Sequence, residues 1–305
     1  MLRSDKNNIR IAYAGAISHP QNRAICNRLG LYDRMISMSK LREGDLKNSS
    51  IILVDSSVTN DGRCPQGFCV DPLIVVDHHR GGNVTDGDNK FVLIQDVGAA
   101  STLVYELFKG CGIKFEEVDE SIPLLLAVGI HTDTNNLVSC SMRDVCAYGE
   151  LLSVIKNHQE LVSIFNYPLQ ASNYENMDRA LKNMSQQGAH LVTNIGAIQA
   201  KDGDDLSTIA DYLIRRDGVS LVIVWAMILD EKRVRISARS TDTSLELGSF
   251  LRERFGASCG GKFTPDGKSV GGGTMDLDFG FWLKPGTTQK AVEFVDAFMK
   301  DTIFS

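Results

Sequence analysis

The sequence predicts an α/β protein of two domains: an N-terminal domain with a mostly parallel sheet and flanking helices, and a smaller C-terminal domain of mixed α/β type. Three observations carry this. The first half alternates short continuous apolar runs with helical patterns, as a parallel sheet covered on both faces requires. The texture changes near residue 187, where strand and turn signals replace a long helical stretch. The length of 305 residues is too great for one average domain and suits two.

In chain order, Ile11-Ala12-Tyr13-Ala14-Gly15 suits a short buried strand, and Ile51-Ile52-Leu53-Val54-Asp55 is an apolar run ending in a carboxylate. Leu73-Ile74-Val75-Val76-Asp77 repeats that pattern, and Phe91 to Ile94 is a fourth strand. Helical patterns cover Asn22 to Leu29, Ala99 to Lys109 and Ile122 to Thr132. Met142 to Gln187 looks helical throughout, with Pro168 as an interruption. Beyond it, His190 to Val192 and Ile195 to Ala200 suggest a hairpin around Thr193-Asn194. Asp205 to Arg215 is a helix whose acidic start and basic end suit the helix dipole. Ser220 to Leu229 and Arg233 to Ala238 are strands joined by Asp230-Glu231-Lys232, and Leu245 to Phe255 is a helix. A glycine-rich stretch, Gly256 to Gly273, precedes a closing helix from Gln289 to Met299. The expected domains are therefore 1–187 and 188–305.

Composition removes several classes of function. The net charge of −6 speaks against a basic polyanion binder, so an anionic ligand must meet a local site. Hydrophobic residues at 43% and charged residues at 23% describe a folded protein. No apolar run reaches membrane-spanning length, and MLRSDKNNIR lacks the apolar core of a signal peptide. Seven scattered cysteines suggest reduced thiols and a cytoplasmic location. Cys64 and Cys69 lack a second pair to complete a zinc set and are expected as loop thiols.

The chemistry concentrates where strands end, the edge at which open α/β sheets collect ligands. Asp55 and Asp77 close two apolar runs, and His78 and His79 follow directly. A carboxylate and two imidazoles in succession offer hard and borderline metal ligands. Asp133, in Gly129-Ile130-His131-Thr132-Asp133-Thr134, adds a third acid. Such a set suits a divalent ion for hydrolysis at phosphorus. Asp55 taken alone suits a helix cap, and His131 taken alone a packed or surface residue. Asp77-His78-His79 resists a purely structural account, because burying that polarity without a purpose is costly.

Val75-Val76-Asp77-His78-His79 resembles the signature of the DHH phosphoesterases, which include exopolyphosphatases, RecJ-like nucleases, nano-RNases and cyclic-dinucleotide phosphodiesterases. Leu53-Val54-Asp55, the Val97-Gly98-Ala99-Ala100-Ser101-Thr102 helix start and Gly129 to Thr134 are similar to further motifs of that family, in the right order. Val234 to Ser240 and Gly271-Gly272-Gly273 resemble its DHH-associated C-terminal domain. The resemblance covers nearly the whole chain. It implies a phosphoesterase using divalent metal, usually manganese, with its active site between two domains. Asp55, Asp77, His78 and Asp133 would hold metal, and Asp133 and His79 would serve catalysis, His79 beside the scissile phosphate. Arg239, Ser240, Gly271, Gly272, Gly273 and Thr274 would bind substrate. The implied partner is a small nucleotide, cyclic dinucleotide or short single-stranded oligonucleotide, with no membrane and with a homodimer as the candidate assembly.

The sequence departs from the family in two places. Its first metal motif, commonly HxxPDxDA, corresponds to Ile17-Ser18-His19-Pro20-Gln21-Asn22-Arg23-Ala24. Ile17, Gln21 and Arg23 then stand where three ligands are expected, and His19 lies two positions away, roughly 6–7 Å along an extended chain. Two carboxylates exchanged for an amide and a guanidinium move the local charge by about +3, which disfavours a second divalent ion. Three readings remain. Arg23 replaces one metal as a catalytic phosphate ligand beside a single ion; the site has decayed into a nucleotide or phosphate binder; or Arg23 neutralises Asp55 or Asp133 as a structural ion pair. In the second domain the usual GGGH ends in Thr274, which cannot supply an imidazole. Gly271 to Gly273 is expected as a phosphate-facing loop, or alternatively as a tight turn needing positive φ.

Overall fold

The computed structural model describes residues 9–13, 17, 19–41, 49–59, 71–79, 81–264, 267–276 and 286–305. Ala14, Gly15, Cys64 and Cys69 lie outside the described residues. The chain divides into two compact units, Met1–Tyr167 and Pro168–Ser305.

The first unit contains β1 (Ile11–Tyr13), α1 (Pro20–Arg28), β2 (Met35–Ser37), β3 (Ile51–Val54), β4 (Pro72–Asp77) and β5 (Phe91–Ile94). Four helices follow: α2 (Ala100–Gly110), α3 (Ser121–Asp133), α4 (Met142–Val154) and α5 (His158–Phe165). Strands β3, β4 and β5 form a parallel sheet in that order, and β1 pairs with β2 in parallel. β4 is the central strand, with Val75, Val76 and Asp77 buried. Val76, Val97 and Leu103 pack α2 onto it. A second cluster joins α1 to the later helices through Ile25, Tyr105, Leu124, Ile130, Leu151 and Ile164. Because β3 and β5 flank β4, their C-terminal ends bring Asp55 and residues 95–97 beside His78.

The second unit contains α6 (Ala171–Lys182), β6 (Ser185–Gln187), β7 (His190–Ile198), α7 (Asp205–Leu213), β8 (Leu221–Ile228) and β9 (Arg233–Ser240). It ends with α8 (Leu247–Phe255), β10 (Cys259–Phe263), β11 (Ser269–Asp276) and α9 (Thr288–Phe304). Its mixed sheet runs β10-β11-β9-β8-β7-β6, with only β7 and β8 parallel. Every residue of β8 is buried. Leu221, Ile223, Trp225 and Met227 join α8 and α9 on one face. Val222, Val224, Ala226 and Ile228 join α6 and α7 on the other. The strand's continuous apolar run is thus explained by burial on both faces. No helix among the described residues is long and apolar enough to cross a membrane.

Four expectations need correction. The boundary expected near 187 falls at 167/168, because Met177, Ala180 and Met184 pack with Leu191 and Ile195 in the second unit's core. The helical stretch expected as far as Gln187 ends at Lys182, and β6 follows. The hairpin expected at Thr193-Asn194 is one strand, β7, and the β6–β7 hairpin turns at Gly188, with φ +57°, instead. Thr193 and Asn194 have turn chemistry but are buried with their polar atoms satisfied. The Thr193 hydroxyl donates to the Ala180 carbonyl at 2.5 Å and the Asn194 amide to Asp296 at 2.8 Å. Gly271 to Gly273 is neither loop nor tight turn but the middle of β11, paired to β9 and β10. A Cβ on Gly272 would meet the Ile236 carbonyl at 2.4 Å, and one on Gly273 the Cys259 Cα at 2.5 Å. These glycines permit close backbone approach.

Candidate metal centre

β3 ends at Val54, and Asp55 follows in the left-handed region at φ 60°. That conformation is unusual for a residue with a side chain and often marks a functional constraint. The Asp55 N–H donates to the Val76 carbonyl at 2.9 Å, which holds the residue at the sheet edge. Residues 56–58 are not helical, so Asp55 caps no helix here. Its carboxylate instead lies 3.3 Å from His78 Nε2 and 3.8 Å from His79 Nδ1. One donor atom each from Asp55, His78 and His79 falls within 4.8 Å of the others.

Asp77 is fully buried beneath this group. Its Oδ1 accepts from the backbone N–H of His78 at 2.8 Å, that of His79 at 3.2 Å, and His79 Nδ1 at 2.8 Å. Burial works to raise its pKa, but hydrogen bonding from Ser57, the His79 ring and the two backbone N–H groups outweighs this and holds it below the usual carboxylate value. Asp77 Oδ2 is buried and accepts no well-formed hydrogen bond. An ionised carboxylate only accepts, so the His79 Nδ1 carries the proton and Nε2 is left for a ligand.

His78 is mostly buried, and its Nδ1 lies 3.1 Å from the Val97 carbonyl. Its pKa is raised, first by the hydrogen bond to Asp55, against burial, with further help from Val97 and the charges of Asp55 and Asp133. His78, His79, Gly81, Gly82, Ile94, Gln95 and Asp96 line an open depression of about 390 Å³. A Cβ on Gly82 would fall 2.0 Å from the Ser57 hydroxyl, so only glycine lets this wall close.

The structure therefore assembles Asp55, His78 and His79 and places Asp77 behind them. Asp133, at the exposed end of α3, is outside the three-donor group and reaches His78 through its charge. The three residues closing the turn after it, Asn135 to Leu137, all have positive φ. Arg23 lies on α1, where its charge reaches Tyr32. Among the described residues, the ion pairs of Asp55 are with His78 and His79 rather than with Arg23. Gln21 donates to the Ile164 carbonyl at 3.4 Å, and His19 packs edge-on against Tyr167. His131 stacks on Phe165 at 3.8 Å and is a packed histidine.

The second-domain expectations fare differently. Arg239 is directed to Asp211, with Nε and Nη2 donating at 2.5 and 3.0 Å, and to Ser237 and the Ala238 carbonyl. Its guanidinium is engaged within the fold rather than open to phosphate. Ser240 is buried, and its hydroxyl accepts from the Asp242 N–H at 3.1 Å. Thr274 lies opposite Arg235 in the β9–β11 register. Sequence reasoning missed Ser57 and Asp144. Asp144 reads as a helix N3 residue in Ser141-Met142-Arg143-Asp144, and nothing local signals its reach to Gly98.

An oxygen and two imidazole nitrogens in this arrangement, over an unsatisfied buried carboxylate oxygen, fit a divalent first-row cation. Asp55, His78 and His79 would hold it, with Asp77 orienting the His79 ring and the Val97 carbonyl the His78 ring.

No protein-family model matches the chain. An uncharacterized protein of Methanocaldococcus jannaschii is 29% identical over 249 residues, 81% of this chain and 48% of that one. The chain thus spans about half the length of that relative. A probable manganese-dependent inorganic pyrophosphatase of Streptococcus pyogenes is 40% identical over 60 residues, 20% of this chain and 18% of that protein. The crystal structure of an exopolyphosphatase-related protein from Bacteroides fragilis superposes with a TM-score of 0.62 at 16% identity, covering 91% of this chain and 80% of that one. The chain therefore shares the fold of that structure, and the motifs that resemble those of the DHH phosphoesterases follow one another in order along it.

Proposed function

We propose that the protein is a metal-dependent phosphoesterase with an altered, single-ion site, acting on short oligonucleotides, small nucleotides or cyclic dinucleotides. The convergence of Asp55, His78 and His79 within 4.8 Å carries this reading. The resemblance to a manganese-dependent pyrophosphatase over a short stretch favours Mn²⁺ as the ion. When bound, such an ion supplies Lewis acidity and a water acidic enough to attack phosphorus near neutral pH. The chain's own groups do the rest. Asp77 fixes the His79 ring through Nδ1, so that Nε2 is left to hold the ion beside the phosphoryl group. Asp133 adds negative charge at the rim, which favours a cation over a free anion. Arg23 is the residue proposed to contact substrate phosphate in place of the second ion. The free thiols of the described cysteines support a cytoplasmic location.

One observation favours a second reading, a noncatalytic nucleotide binder on the same scaffold. Gln21 and His19 are engaged with Ile164 and Tyr167, so the first motif contributes no ligand to the described cluster. Calorimetric titration of metal-free protein with Mn²⁺, paired with hydrolysis of a short-oligonucleotide and nucleotide panel, separates the two. One bound ion is expected, with affinity lowered at least about tenfold by Asp55→Asn and by His78→Ala. Turnover should be lost with the ion. Unchanged affinity in both variants removes the site. One bound ion without turnover on any substrate favours the binder.

A further inference from the structure

We infer that Gln95 is a substrate-binding residue of this site, presenting its side-chain amide nitrogen to an oxygen of the phosphoryl group, and that Arg143 is the positioning residue that turns the amide that way. The phosphoryl group itself rests on the function proposed above; the direction of the amide does not. Gln95 follows β5, one residue past Ile94, which pairs with Asp77. Its backbone N–H donates to the Asp77 carbonyl at 3.2 Å, and its carbonyl accepts from the Val97 N–H at 3.1 Å. These bonds hold the residue beside His78 and His79, with which it lines the depression of about 390 Å³.

The direction of the side chain follows from what each group can donate or accept. Arg143 Nη2 donates to Gln95 Oε1 at 2.7 Å. A guanidinium only donates, so the amide oxygen faces Arg143 and the amide nitrogen faces away from it. Arg143 lies on α4 and does not line the depression, whereas Gln95 does. The nitrogen, with two N–H donors, is therefore the end left for the depression. Arg143 is itself held. Its Nε donates to Glu106 Oε1 at 2.8 Å, and its Nη2 also donates to Glu106 Oε2. That two-point grip from α2 fixes the plane of the guanidinium.

An amide at this position does more than tie α4 to the sheet edge. Tying Arg143 needs only an acceptor, and Glu106 already supplies two oxygens. Glutamine adds what a carboxylate lacks, a donor at its other end. The guanidinium polarises the amide through its oxygen and makes the N–H groups stronger donors. The formal charge of Arg143 stays with Glu106. A neutral donor suits a rim carrying Asp55, His78 and His79, because it stabilises charge on a phosphoryl oxygen without repelling a cation held there. A long side chain fixed before the ligand arrives also spares part of the ordering entropy of binding.

Inorganic phosphate is the probe, titrated by calorimetry into the full chain with and without Mn²⁺. Gln95→Met keeps the length of the side chain and loses both the acceptor and the donors. It should weaken phosphate binding about tenfold and leave Mn²⁺ affinity unchanged. Arg143→Met leaves the amide in place but free to turn, and should weaken phosphate binding only about threefold. Both variants break the same tie, so their melting temperatures should fall alike, and both positions are exposed enough for the variants to fold. Unchanged phosphate affinity in Gln95→Met overturns the inference. So does an equal loss of phosphate affinity in the two variants, which would assign the effect to the tie and not to the donor. Unchanged affinity in Arg143→Met overturns the positioning role of Arg143. Phosphate that binds neither the metal-free nor the Mn²⁺-loaded protein overturns the whole. The metal centre fails separately: if Mn²⁺ does not bind while phosphate does, and Gln95→Met still weakens it, that centre is removed and Gln95 keeps its role.

Discussion

The rim of the first unit and the Arg239 region of the second carry the same kinds of residue and use them oppositely. Asp55 and His79 are each about half exposed, at 51% and 48%, and their donor atoms converge with that of His78 without saturating one another. The Arg239 side chain is only 11% exposed, and its nitrogens donate to Asp211, Ser237 and the Ala238 carbonyl. Arg235 is similarly held by Glu231 at 2.9 Å. A charged residue inside a motif therefore marks a site only where the fold leaves its bonding capacity unused. The glycines make the same distinction. Gly82 clears a wall of the open depression, whereas Gly271 to Gly273 clear space for neighbouring backbone and side chains.

The largest expected effect tests the glycine half of this contrast. Gly272→Val puts a side chain 2.4 Å from the Ile236 carbonyl in the body of the sheet. It should destabilise the protein by about 3 kcal/mol, read as a lowered melting temperature. Gly188→Ala meets no atom within 4 Å and suffers only the left-handed backbone, for about 1 kcal/mol. Equal losses at the two positions would mean that close approach is not what β11 requires of its glycines.

Buried carboxylates of the two units sharpen the comparison through pH. Asp77 in the first unit has a folded pKa below its ordinary value of 3.8. Its stabilisation is present above 3.8 and is lost as pH falls through the folded value. Asp205 in the second unit is shifted the other way. Burial raises its pKa, hydrogen bonds from Asn176 and Asn173 oppose this, and the charges of Asp202 and Asp204 add to the rise. Its contribution is present below 3.8 and is lost as pH rises through the folded value. The destabilisation caused by Asp77→Asn should therefore grow with rising pH, reaching about 2 kcal/mol at neutrality. That caused by Asp205→Asn should shrink with rising pH. Denaturant unfolding at several pH values reads both slopes, and slopes of the same sign would contradict the assignment.

Much of the first unit was legible because its signals are local. The runs 51–54, 72–77 and 91–94 become parallel strands at nearly their expected limits, and the acids that end two of them lie at the sheet edge. What escaped depends on partners distant in sequence. Thr193-Asn194 looks like a turn until Ala180 and Asp296 satisfy it. Gly271 to Gly273 looks like a loop until the Ile236 carbonyl and Cys259 crowd it. Asp144 looks like an ordinary cap until its bond to Gly98, 46 residues away, is seen. The family resemblance named Asp55, His78 and His79, whose donor atoms converge, and also Arg239, which Asp211 engages, because a motif records residue identity and not neighbours.

The smallest expected effect is the one able to break the comparison. Arg239→Gln removes the bidentate contact to Asp211, whose carboxylate is 54% exposed. Solvent screens that pair, so the loss should be no more than about 1 kcal/mol. Asp211→Asn should cost a similar amount, and the double variant should cost less than the sum of the two, as for any pair that interacts mainly with itself. Nucleotide-dependent thermal stabilisation of the protein should survive in all three, because the Arg239 guanidinium is engaged within the fold. A different result would be decisive in the other direction. If Arg239→Gln keeps its fold yet loses the nucleotide response while Asp211→Asn strengthens it, then Asp211 is a competitor that holds Arg239 until phosphate displaces it. The second unit would then hold a substrate-binding arginine after all, with Asp211 standing where phosphate would bind rather than serving as a fixed partner.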